Sequence, residues 1–88
     1  MEIHHQQEAN QGEFYILDAQ QRKIARLTYA FIDEQSINVN HTFVDETLRG
    51  QGIADKLYRA LIAFAQTHQL KVRSSCHYIA QKLRREQR

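Results

Sequence analysis

Val44-Asp45-Glu46-Thr47-Leu48-Arg49-Gly50-Gln51-Gly52-Ile53-Ala54 is where the chain changes period. Before it, Ser36-Ile37-Asn38-Val39-Asn40-His41-Thr42-Phe43-Val44 is rich in β-branched and aromatic residues and reads as a strand. After it, Ile53, Leu57, Ala60, Leu61, Phe64 and Ala65 repeat at helical spacing and form one apolar face, with Asp55, Lys56, Arg59, Ala63 and Gln66 opposite. The spacing predicts a helix over about 51–68. Two glycines in alternate positions stand between strand and helix. Glycine lets the backbone approach an anion closely, and the first turn of a helix presents unpaired N–H groups at the positive end of its dipole. Arg49 adds a permanent, directional cation beside them. The junction therefore reads as a site for a phosphorylated ligand, a diphosphate above all.

Working outward, Phe14-Tyr15-Ile16-Leu17 and Lys23-Ile24-Ala25-Arg26-Leu27-Thr28-Tyr29-Ala30-Phe31-Ile32 also read as strands, with another near residues 2–8. Asn10-Gln11-Gly12, Asp18-Ala19-Gln20-Gln21 and Asp33-Glu34-Gln35-Ser36 are the expected turns. Consecutive hairpins imply an antiparallel meander. Leu70-Lys71-Val72 is a fifth strand, and Ile79, Ala80 and Leu83 mark a second helix beginning near Ser75 or Cys76, with Ser74 or Ser75 as its N-cap. The strand, helix, strand order at the end implies one parallel pair. The expected fold class is α/β (α+β), a mixed, mainly antiparallel sheet of about five strands with two helices. A chain of 88 residues fits one domain spanning 1–88 with one core.

Two familiar phosphate loops do not fit. A P-loop requires Gly-Lys followed by Ser or Thr, and neither Gly50 nor Gly52 is so followed. A dinucleotide fingerprint from Gly50 requires a small residue where Asp55 stands, and a longer alternation of strands and helices. The segment resembles instead the pyrophosphate motif of the GNAT (N-acetyltransferase) superfamily: Gln or Arg, two residues, Gly, one residue, Gly or Ala. Arg49, Gly52 and Ala54 match it. With the chain's length and a single cysteine just before a tyrosine, the whole is similar to the small single-domain members of that superfamily, which often carry a proline where Ser74 stands. The resemblance implies acetyl-CoA as the cofactor, its pyrophosphate held by Arg49, Gly50, Gln51, Gly52, Ile53 and Ala54. Its pantetheine arm would lie along Thr42, Phe43 and Val44, where the fourth strand splays from the fifth. It further implies an acetyl-CoA-dependent acyltransferase with an unidentified small-molecule or protein amine as acceptor, or a CoA-binding module that has lost its acceptor pocket.

Three residues are candidates for catalysis. Cys76 follows the fifth strand; as a thiolate it would accept an acyl group, and as a thiol it would simply pack. His41 lies three residues before Val44 and has the pKa of a general base, although period-two alternation, which groups it with Phe43 and Asp45 and sets Thr42 with Val44, equally suits a plain sheet residue. Tyr78, by the resemblance, is the acid for the departing CoA thiolate, or else a cap on the core. A backbone N–H near Phe43 or Val44 is the expected oxyanion donor.

Composition narrows the remaining classes. Cys76 is the only cysteine, which excludes an intramolecular disulfide and a multi-cysteine zinc site. His4 and His5 are adjacent on a strand and point to opposite faces, so no metal is expected. No apolar run is long enough to span a membrane and the polar start lacks a secretory signal, which gives a cytoplasmic expectation. The net charge is +2, and the basic run Lys82, Arg84, Arg85 and Arg88 reads as the solvated, dipole-complementing end of a helix rather than a nucleic-acid surface. Asp45 and Glu46 are read as turn and surface residues.

Overall fold

A computed structural model of the chain describes residues 2–86. Strands β1 (His4–Glu8), β2 (Gln11–Leu17), β3 (Lys23–Asp33) and β4 (Ser36–Val44) are followed by a single 3-10 turn (Glu46–Leu48), helix α1 (Ile53–Thr67), strand β5 (Lys71–Ser74) and helix α2 (His77–Glu86). The sheet runs in the order β1-β2-β3-β4-β5. Its first four strands pair antiparallel, and β5 joins β4 in parallel. The expected meander, crossover and two helices are all present. No described helix is long and apolar enough to cross a membrane.

One face of the sheet is covered by helices. Alternate residues of β2, β3 and β4 (Phe14 and Ile16, Ala25, Leu27 and Tyr29, Ile37 and Val39) are buried against Ile53, Leu57, Tyr58, Leu61 and Ala65 of α1 and Ile79 and Leu83 of α2. Burying each of the larger side chains contributes about 1.5–3 kcal/mol, the principal force that seats the helices. The other face is polar, with Glu13 bridging Lys23 at 2.6 Å and Arg26 at 3.8 Å; exposed pairs of this kind add little stability.

Local chemistry sets the turns. Asp18 accepts from the N–H groups of Gln20 and Arg22, both at 2.9 Å, and closes the loop between β2 and β3. Asp33 accepts from Gln35 at 2.8 Å in the two-residue turn before β4. The first turn differs from the expected Asn10-Gln11-Gly12. Glu8 pairs with Gln11, so the turn is Ala9-Asn10 and Gly12 lies within β2. Tyr29 explains the displaced glycine: a Cβ on Gly12 would lie 2.3 Å from the Tyr29 hydroxyl oxygen. The bare backbone lets that ring lie flat across β2, where its hydroxyl meets His5 Nε2 at 2.7 Å.

Other boundaries shift for similar reasons. Helix α1 starts at Ile53, because Gly52 adopts φ 70° and cannot belong to a right-handed helix. It ends where Leu70 N–H reaches Ala65 C=O at 2.8 Å and Gln69 takes φ 56°, a left-handed stop usually marked by glycine. Arg84 and Arg85 occupy the last turn of α2 as expected, and Arg88 lies outside the described residues. Lys82 does not extend into solvent; its ammonium pairs with Asp55 of α1.

Strand β4 has two distinct halves. Ser36 to Val39 pair with β3 on one side and with Lys71 to Ser74 of β5 on the other. Beyond Val39 the pairing with β5 stops. On the β3 side Val39 opposes Tyr29 and His41 opposes Thr28, so Asn40 is one residue too many, a β-bulge. The bulge changes the parity of the strand.

Candidate functional site

The splay between β4 and β5, the glycine junction and the start of α2 enclose a groove of about 460 Å³. Thr42 and Val44 line it from β4, Leu48, Arg49, Gly50, Gly52, Ile53 and Ala54 from the junction, and Tyr78 from α2. Each wall has a local cause. Asp45 accepts from Thr47 N–H at 3.0 Å and from the Thr47 hydroxyl at 2.8 Å, which winds the 3-10 turn and brings Arg49 to the rim. These hydrogen bonds hold the Asp45 carboxyl below its ordinary range. Asp45 and Glu46 thus sit in a turn, as expected.

Gly50 and Gly52 have φ 84° and 70°, and a Cβ at either would meet nothing within 4 Å. Packing does not require these glycines. Their backbone does, since L residues rarely adopt positive φ. No side chain caps α1, so its first turn presents N–H groups without a side-chain acceptor. Arg49 is exposed and makes no salt bridge among the described residues. The result is a row of donors beside an exposed guanidinium, which fits a diphosphate. Gln51 is exposed and lies outside the lining.

Parity sorts the strand residues. Thr42 and Val44 face the groove, whereas His41 and Phe43 are exposed on the opposite, helix-free side. The structure brings neither His41 nor the Phe43 side chain to the groove. The bulge at Asn40 is the reason: without it His41 and Phe43 would follow Ile37 and Val39 onto the helix side.

Cys76 stands beside Thr42, with Sγ 3.4 Å from the Thr42 hydroxyl. Ser74 fixes the backbone there. Its hydroxyl accepts from Cys76 N–H at 2.9 Å and lies 3.0 Å from the Val39 carbonyl. Burial alone would push the Cys76 thiol up, but hydrogen bonds from the Thr42 side chain and from the backbone of Ile79, Tyr78 and Thr42 outweigh it and leave the thiol below its ordinary value. Sequence did not anticipate the Thr42–Cys76 contact, which joins residues 34 apart. Nor did it identify Lys82, whose ammonium lies 5.5 Å from the centre of the Tyr78 ring.

Elsewhere, a depression of about 440 Å³ on the helix-free face is lined by Gln6, Glu8, Glu13, Thr28 and Asn40, but neither the glycine junction nor Tyr78 reaches it. His4 stacks on Tyr15 and His5 on Phe14, on opposite faces. Among the described residues no group of three His, Cys, Asp or Glu side chains is close enough to hold a metal ion.

An antiparallel sheet with one parallel crossover, splayed strands and a diphosphate-fitting junction define the acetyltransferase class of α+β proteins. Residues 13–88 match the GCN5-related N-acetyl-transferase family, and the chain belongs to it. A solved GCN5-like protein from Staphylococcus aureus superposes with a TM-score of 0.74 at 38% identity, over 97% of this chain and 79% of that one. The aminoglycoside N-acetyltransferase AAC(6′)-Iy, solved with CoA, shares the fold at a TM-score of 0.65 and 14% identity, covering 90% of this chain and 67% of that one. Protein NATD1 of Xenopus tropicalis is 34% identical over 55 residues, 62% of this chain. That match spans about half the length of the NATD1 protein.

Proposed function

We propose that this chain binds acetyl-CoA in the groove and transfers the acetyl group to an amine. The observation that carries this reading is the pair of positive-φ glycines beside the exposed Arg49 at a helix start with no side-chain cap. When bound, acetyl-CoA supplies an activated acetyl thioester. Gly50 and Gly52 offer backbone N–H groups to its diphosphate while Arg49 neutralises charge. The edge of β4 that β5 leaves free, from Thr42 to Val44, supplies backbone partners for the pantetheine arm, and an N–H near Phe43 or Val44 stabilises negative charge on the carbonyl oxygen. Tyr78, at the wall, donates the proton that the leaving sulfur takes up.

The described residues that line the groove include no histidine and no carboxylate. Two consequences follow. Either the acceptor arrives as a neutral amine or the thiolate of Cys76 is acylated first: its sulfur forms the new bond to the acetyl carbon, CoA leaves as thiol with a proton from Tyr78, and the amine then displaces the acetyl group, giving its proton back to the Tyr78 phenolate and leaving Cys76 as thiolate. Otherwise the chain is a non-catalytic CoA-binding module, a reading the same absence favours.

Calorimetry with CoA tests binding: the wild-type chain takes up CoA and Gly52→Val does not. Equal heats from both proteins would remove the assignment. Incubation with acetyl-CoA and an amine panel, followed by mass spectrometry of Cys76, separates the routes. Acetyl-Cys76 marks the two-step path, acetylated amine without it marks direct transfer, and binding with neither product marks the module.

A further inference from the structure

We propose that Lys82 is a positioning residue that holds the Tyr78 ring at the groove wall, clamped from behind by Asp55 in the first turn of α1. Its role rests on the reading of the groove as a CoA site, but its geometry does not. The Lys82 side chain is only 20% exposed, unusual for a lysine near a helix end. Its ammonium pairs with the Asp55 carboxylate and lies 5.4 Å from the Tyr58 ring centre and 5.5 Å from that of Tyr78. Both distances are within reach of a cation over an aromatic ring. Tyr58 is buried, so it forms a fixed floor, whereas Tyr78 is 42% exposed and lines the groove.

The clamp is built from both helices. Asp55 also accepts from Arg59 Nε at 3.1 Å, and Arg59 reaches Glu86 at 3.6 Å, whose other oxygen accepts from the Tyr58 hydroxyl at 3.1 Å. Asp55 therefore cannot swing away without breaking a chain of contacts. Asp55, followed by Tyr78, holds the Lys82 ammonium above its ordinary value, so it stays charged throughout the neutral range. A single cation thus ties the exposed Tyr78 wall of the groove to the helix whose N-terminus forms the opposite wall. Ordering the ring in advance lowers the entropy lost when a ligand packs on it.

Two variants and two readouts test this. In the ligand-free protein, the side-chain couplings of Tyr78 measured by NMR report whether its ring keeps one χ1 rotamer. Wild type and Lys82→Arg are expected to show one, and Lys82→Met an average of several. Calorimetry with CoA should then show about fivefold weaker binding for Lys82→Met and recovery in Lys82→Arg. If Lys82→Met does not fold, Asp55→Asn releases the clamp from the other end and gives the same averaging. A single Tyr78 rotamer in a folded variant lacking the clamp would overturn the proposal. Should wild type bind no CoA, the reading of the groove falls, while the rotamer measurement still decides the role of Lys82.

Discussion

From Ser36 to Val39, β4 is hydrogen-bonded on both sides and buries Ile37 and Val39 completely; from His41 to Val44 it is paired with β3 alone and puts Thr42 and Val44 beside a groove. Both halves are similar in composition and continuous in the backbone. What separates them is a neighbour and a single unpaired residue. Where β5 is present, the strand is part of the core. Where β5 turns away at Ser74, the same backbone presents free groups, and the bulge at Asn40 selects which side chains accompany them.

Inserting one alanine between His41 and Thr42 breaks this division most severely. With the bulge kept, every later residue of the strand changes face, which sends Thr42 and Val44 to the open side and Phe43 toward α2. The Thr42–Cys76 contact disappears and a phenylalanine enters the groove. Loss of CoA binding is expected together with a destabilisation of about 3 kcal/mol, typical of a badly packed core position, read from urea unfolding. A variant that kept wild-type CoA affinity would show that the facing of Thr42 and Val44 does not form the groove.

Ile37→Ala attacks the paired half only. Its side chain is fully buried, so truncation leaves a cavity and should cost about 2–5 kcal/mol in urea unfolding. At low temperature the folded fraction should bind CoA as wild type does. A large change in affinity instead would mean that the two halves are mechanically coupled.

Gly52→Ala tests the junction that the second half feeds. No atom lies near its Cβ, so the effect comes from the positive φ, about 1 kcal/mol of stability. Unlike the valine variant, this protein should still bind CoA, more weakly. Equal stability in thermal unfolding would mean that the loop relaxes to another conformation.

These differences also explain what could be read from sequence. Strands, crossover, long helix and glycine junction were legible because each depends on composition and period over several residues, from Lys23-Ile24-Ala25 through Ile53 and Leu57. The bulge was not legible. Asn40 is one polar residue in a polar, alternating strand, and only the opposing register of Tyr29 and Thr28 reveals that it is extra. Gly12 misled in the other direction: Asn10-Gln11-Gly12 suggests a turn, yet the glycine serves a ring on the next strand. Lys82 looked like part of a basic tail because its partner, Asp55, lies 27 residues away. Contacts between distant elements leave no local pattern, and the candidate site depends on several of them.

The smallest expected effect on stability, and the most direct on chemistry, comes from Thr42→Val. Thr42 is half-buried and valine has nearly its shape, so the loss of one weak contact to sulfur should change unfolding by less than about 1 kcal/mol. The thiol should respond more. Hydrogen bonds hold Cys76 below its ordinary value despite burial, which means that they stabilise the thiolate. In wild type, alkylation by iodoacetamide should therefore reach half its maximal rate below the roughly pH 8.5 of a free cysteine. Removing the Thr42 hydroxyl leaves the burial that disfavours the thiolate and deletes its leading opponent, so the midpoint must move up. The backbone donors of Ile79, Tyr78 and Thr42 remain, so the shift should be partial. A downward shift would mean that the hydroxyl accepts from the thiol, and Cys76 would then be a packed side chain rather than a nucleophile.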